Sequence, residues 1–149
     1  MVSSTKSSGS IQTTFDALKS KIKAKVEDGV EERLEDIAAY AVYVATPDNS
    51  IDTGAYVTSF SIGAAGFGGG RSRSSNNKPK GQNPQAMKDE SFSQLMYDIQ
   101  RIDFEAVLES SNTRFTLRNR APHARDVEDG SSWRRSGYHV FAKIRNQFG

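Results

Sequence analysis

The sequence predicts an α+β fold: a long amphipathic helix packed on a small antiparallel sheet, with further short helices and one long flexible loop. Three observations carry that expectation. Apolar residues recur every three or four positions from Phe15 to Val44, which is helical spacing. Tyr56–Ile62 and Arg114–Asn119 then alternate with period two, as half-buried strands do. Between those two segments the periodicity vanishes across 63–85, a stretch rich in glycine and lysine or arginine.

Taken in order, residues 1–11 read as a disordered arm, being Ser, Thr, Gly and Lys with little to bury. Residues 12–149 are expected to form a single domain. The helix is expected from Thr13 to Val44, with Phe15, Leu18, Ile22, Val26, Val30, Leu34, Ile37, Ala41 and Val44 in its stripe. At 1.5 Å per residue it would be about 45 Å long, more than a small domain needs, so part of the stripe is expected to face another subunit. Gly29 interrupts it. The charge order opposes the helix dipole: Lys19, Lys21, Lys23 and Lys25 come first, then Glu27, Asp28, Glu31, Glu32, Glu35 and Asp36. Either Lys23 pairs with Glu27 one turn on, or the blocks meet a neighbouring helix. Thr46-Pro47-Asp48-Asn49 ends the helix, because proline disfavours helical geometry in the residue before it.

Asp52, Thr53 and Gly54 form a turn into a strand whose one face is Tyr56, Thr58, Phe60 and Ile62. A second helix is expected from about Gln85 to Ile102, and a strand from Arg114 to Asn119. Pro122–Glu128 reads as a short helix or turn, Gly130–Gly137 as a loop, and Tyr138–Phe148 as a terminal helix or strand. Residues 103–111 carry no firm assignment.

Composition excludes several classes of function. The chain has 149 residues, 36% of them hydrophobic, no cysteine and a formal net charge of +2. Disulfides and thiolate metal sites are therefore absent. No apolar run approaches the ~20 residues that span a bilayer, and Met1–Ser10 lacks a signal-peptide core, so synthesis in the cytoplasm without membrane attachment is expected. The charge layout is more telling than its total. Arg71 to Lys88 holds five basic and no acidic residues, whereas Asp89 to Glu109 holds six acidic and one basic.

Candidate chemistry is sparse. Asp52-Thr53-Gly54 matches the aspartic-protease signature of two carboxylates sharing a proton. Such enzymes are nearly all β, whereas a long helix precedes the motif here, so a turn is favoured. Gly66–Gly70 lacks the Gly-Lys-Ser/Thr and helix of a phosphate-binding loop. His123 and His139 match no ligand spacing. No catalytic residue, metal or cofactor is expected. The basic loop lacks aromatic residues for base stacking, leaving only sequence-independent contact with DNA through phosphate charge.

Two segments together resemble a known family. Ile51-Asp52-Thr53-Gly54-Ala55-Tyr56-Val57-Thr58-Ser59-Phe60-Ser61-Ile62-Gly63 resembles the "Asp-Thr-Gly, then strand" segment of tailed-bacteriophage head–tail joining and tail-completion (neck) proteins. Asn119-Arg120-Ala121-Pro122-His123-Ala124-Arg125-Asp126-Val127-Glu128-Asp129-Gly130 resembles their later "Asn-x-x-Pro-Tyr/His-Ala … Glu-x-Gly" segment. The long first helix, Trp133 and Gly137 also fit. Two departures are Ala55-Tyr56 where an arginine is common, and Trp133-Arg134-Arg135-Ser136 in place of Gln-Ala-Pro.

The resemblance implies a non-enzymatic virion subunit, forming a homo-oligomeric, sixfold ring between the portal/adaptor complex and the tail tube or tail terminator. A tail terminator ring is the nearest alternative, and a nonspecific DNA-binding accessory protein is the alternative of another class. Arg71, Arg73, Lys78 and Lys80 would then meet an acidic neighbour or genomic DNA in the channel, and Trp133 would anchor a partner. Asp52, Thr53, Gly54, Asn119, Pro122, His123, Glu128 and Gly130 would shape the two turns.

Overall fold

A computed structural model describes residues 4–51, 54–74, 79–111, 113–130 and 137–149, with 4–15 and Ser50 described by backbone alone. The architecture is α+β. Helix α1 spans Ser4–Ala39 and continues into a π-helical turn, Tyr40–Ala45. Strands β1 (Phe60–Gly63) and β2 (Thr116–Asn119) pair antiparallel, Phe60 opposite Asn119 and Gly63 opposite Thr116. Around them lie α2 (Pro84–Gln100), α3 (Phe104–Glu109), α4 (Ala124–Asp129) and α5 (Val140–Phe148).

Helix α1 begins inside the stretch expected to be a disordered arm. Extending an existing helix fixes one residue per hydrogen bond and costs far less than nucleating one, so polar Ser and Thr residues are carried along. At the other end, Thr46 takes the extended backbone that Pro47 demands. Its hydroxyl donates to the Ala41 carbonyl at 2.8 Å, satisfying an acceptor that the terminating helix leaves open. Helix α2 starts with local signals too: the Asn83 side chain accepts from the Ala86 amide, and Pro84 occupies the first turn.

The core is built from the last third of α1 and the π turn (Leu34, Ala38, Ala41, Val42 and Ala45) against Tyr56, Val57, Phe60, Ile62, Leu95, Ile99, Val107, Val140 and Ile144. Alanines at 38, 41 and 45 are fully buried and leave room for α2 and α5 to approach.

Two expectations are corrected. Of the expected 56–62 strand only Phe60–Ile62 is extended, in a strand that runs on to Gly63, while Val57–Ser59 forms a 3-10 turn. The Thr58 hydroxyl and amide both donate to the Gly54 carbonyl, at 2.6 and 3.0 Å, and hold the chain in helical geometry. Because every residue from Gly54 to Ile62 is buried, alternation there does not separate a core face from a solvent face.

The first part of the expected flexible loop, 63–74, is pinned. The Gly69 amide donates to Arg101, the Gly70 amide to Ile62, and the Asp103 amide to Phe67, at 2.8–3.2 Å. A side chain at Gly70 would overlap the Asp98 carboxylate, so the close packing depends on a bare backbone there. Residues 103–111, unassigned from sequence, contain α3, capped by Asp103 accepting from the Ala106 amide at 3.1 Å.

Candidate interaction surface and the two turn motifs

The two segments that suggested a family meet in space. Asn119, at the end of β2, donates from its side-chain amide to the Tyr56 carbonyl at 2.8 Å and accepts from the Ala121 amide at 3.0 Å. One residue thus ties the turn after Gly54 to the turn before Pro122. The Tyr56 ring packs edge-on to Phe60, 5.4 Å between centroids, and lies 6.4 Å from the ring of His123. Burial, reinforced by the negative charge of Glu128, pushes the Tyr56 hydroxyl well above the usual phenol range. Gly54 has φ 81° and leaves no space for a side chain against Met87, which accounts for glycine at that turn.

Glu128 is the other tie. Its carboxylate accepts from the Phe141 amide at 2.8 Å and the Ala142 amide at 3.1 Å, capping the N-terminus of α5 where the helix dipole favours an anion. His139, just before α5, adopts left-handed backbone geometry (φ 53°), and Gly130 closes α4 at φ 88°. Pro122 and His123 are exposed. Asp52, Thr53, Lys78 and Trp133 lie outside the described residues.

The basic residues divide. Arg71 and Lys80 are exposed, but Arg73 turns inward. Its guanidinium donates to the Phe60 carbonyl at 2.8 Å and to Asp98, 1% exposed, at 2.7 Å. Asp98 also accepts from the Ile62 amide at 3.2 Å. Arg73 is therefore a strut fastening the loop to α2 and β1, which corrects its expected place on a partner surface. Lys88 is likewise buried, paired with Asp48 at 2.6 Å.

The main unfilled surface lies along α1. Leu18, Ile22 and Val26 are 51%, 56% and 49% exposed although they belong to the same apolar stripe as buried Leu34 and Ala41. That stripe runs into an apolar groove of about 470 Å³. Val30, Leu34 and Ile37 of α1 form one wall, Phe141 and Ile144 of α5 another, and Ile62, Phe115 and Leu117 the floor. Arg33 and Arg145 stand at its edge, Arg33 held 4.8 Å over the Phe148 ring. A second, polar recess of about 140 Å³ lies between Ser61, Gly68, Thr116 and Arg118.

Charge along α1 is also unmatched. Lys23 pairs with Glu105 and Glu109 of α3, not with Glu27, and those carboxylates hold its ammonium above its usual pKa. Among the described residues, Lys19, Lys21 and Lys25 make no ion pair, nor do Glu27, Asp28, Glu31, Glu32, Glu35 and Asp36. Burial, together with Glu31, Glu32 and Asp36, raises the Glu35 carboxyl above its usual pKa. Also among the described residues, no three His, Asp or Glu side chains are grouped to hold a metal ion.

Comparison with protein-family models, with curated proteins and with solved structures finds no match to this chain.

The sequence pattern missed three parts of this surface. Asp98 stood unremarked inside a predicted helix face, with only its place among apolar neighbours as a signal. The groove joins residues from four separate segments, and no local pattern announces such a convergence. The inward turn of Arg73 had no sequence signal at all.

Proposed function

We propose that this chain is a structural, non-catalytic subunit of a tailed-phage neck. It would assemble with copies of itself into a ring between the portal/adaptor complex and the tail, as a tail-completion or head–tail joining protein. The observation that carries the reading is the half-exposed stripe Leu18–Ile22–Val26, continuous with an open apolar groove and flanked by unpaired charge of both signs. A lone monomer gains nothing by exposing such a stripe, whereas a subunit completed by neighbours buries it.

Further support comes from the turn motifs. Asn119 and Glu128 act on backbone amides and carbonyls, which is the work of shaping a scaffold. The groove is lined by aliphatic and aromatic side chains, with no nucleophile beside a base. The inward Arg73 and Lys88 weaken the reading of 71–88 as a DNA-binding patch, leaving Arg71 and Lys80 as its exposed cations among the described residues.

Native mass spectrometry and negative-stain imaging of the purified chain test the proposal. Closed rings are expected at low ionic strength. A chain that remains monomeric at every concentration and salt tested would overturn it.

A further inference from the structure

Helical spacing sorts the charges of α1 by face. Residues three and four apart are neighbours on a helix surface, and Lys21, Lys25, Asp28, Glu32 and Asp36 follow one another at those intervals. They form one line, basic at its start and acidic at its end, and every one of them is exposed. Leu18, Ile22 and Val26 run beside that line, each about half exposed, and Gly29 continues their row. Lys23 reaches α3, and Val30, Leu34 and Ile37 wall the groove. The charged line therefore lies on the opposite side of the helix, away from the body of the fold. None of its members makes an ion pair among the described residues.

We propose that this face pairs with the same face of a second copy, the two α1 helices antiparallel about a two-fold axis between Val26 and Glu27. Lys25 of each copy then faces Asp28 of the other, and Lys21 faces Glu32. Both pairs are centred on the same point of the helix, so one register satisfies them together. Val26 meets its own counterpart near the axis, and Ile22 lies against the row that holds Gly29 of the second copy. Open space surrounds Gly29, and a bare backbone there lets the helix axes approach to about 8 Å.

Charge selects both the occupant and its direction. Within one helix lysine precedes acid, the weaker order, and each block opposes the helix dipole. Parallel copies would set lysine on lysine. Reversal brings each block against its opposite. The contact goes beyond the ring reading: it is isologous and closes at two copies, so a ring would need a further contact elsewhere.

The chain has no cysteine, so single-cysteine variants report the register. Val26→Cys should form disulfide-linked dimers on mild oxidation, a bond that needs Cα atoms within about 7 Å. Leu18→Cys should not link to itself, because its counterpart lies about 25 Å away along the axis. Mixed with Asp36→Cys, it should give the mixed disulfide instead.

Sedimentation equilibrium at low salt supplies the second test. Lys21→Glu with Lys25→Glu, and separately Asp28→Lys with Glu32→Lys, should each weaken self-association at least about tenfold. Both should stay folded by circular dichroism, since these side chains are exposed. Mixed, the two double variants should form heterodimers, one face all acidic and the other all basic. Self-linking of Leu18→Cys in preference to Val26→Cys, or no heterodimer on mixing, would overturn the contact. Rings without the Val26→Cys link would overturn it and leave the neck reading intact. Dimers that carry the link and never grow would keep it and overturn the neck reading. A chain monomeric throughout would overturn both and leave this face to a partner of another kind.

Discussion

Helix α1 is two regions with one sequence pattern. Its last third, from Leu34 through the π turn to Ala45, packs Leu34, Ala38, Ala41 and Val42 against α2, α5 and β1. The described part of its first half carries Leu18, Ile22 and Val26 at the same helical spacing, yet each is about half exposed. Periodicity therefore identifies a face that needs covering and says nothing about what covers it. The carboxy-terminal part is a core element, and the amino-terminal part leaves its apolar residues half exposed.

The largest effect that sharpens this contrast lies on the core side. Replacing Arg73 by Met removes the partner of Asp98 and leaves a buried carboxylate with one amide donor. Chemical denaturation should show a loss of about 3–5 kcal/mol, nearer the lower end because Arg73 is partly solvated. A loss below 1 kcal/mol (roughly the worth of a surface pair) would mean that loop 63–74 is not fastened there.

Next comes a direct test along the helix. Leu34→Ala should cost about 2–5 kcal/mol of monomer stability, whereas Ile22→Ala should stay within about 0.5 kcal/mol, because only Leu34 leaves a cavity. Equal costs would erase the distinction between the two halves. Measurement at high dilution, where any self-association is lost by mass action, reads the monomer.

The smallest effect is one of pH, and it belongs to the body. Burial and the hydrogen bond donated to Asp89 push the Tyr43 hydroxyl up to about 12, and burial raises that of Tyr56 as well. The folded protein keeps these protons when the unfolded chain, with phenols near 10.0, has released them. Stability should be unaffected by these groups below pH 10 and should fall as pH rises from there toward 12. In Tyr43→Phe that fall should be shallower, read as melting temperature against pH.

Sequence alone determined what depends on a few neighbouring residues. Thr46-Pro47 ends the helical run, and Asn83-Pro84 starts α2 within a residue of expectation. Proline geometry and side-chain caps act over three or four positions, so they can be read in place. The turn at Val57–Ser59, the inward Arg73, the partner of Lys23 and the open groove were decided by tertiary structure. Each depends on which distant segment supplies an acceptor, a counter-charge or a wall. Burial and pairing are properties of the folded chain as a whole, and the half-covered stripe of α1 shows that helical spacing by itself does not fix them.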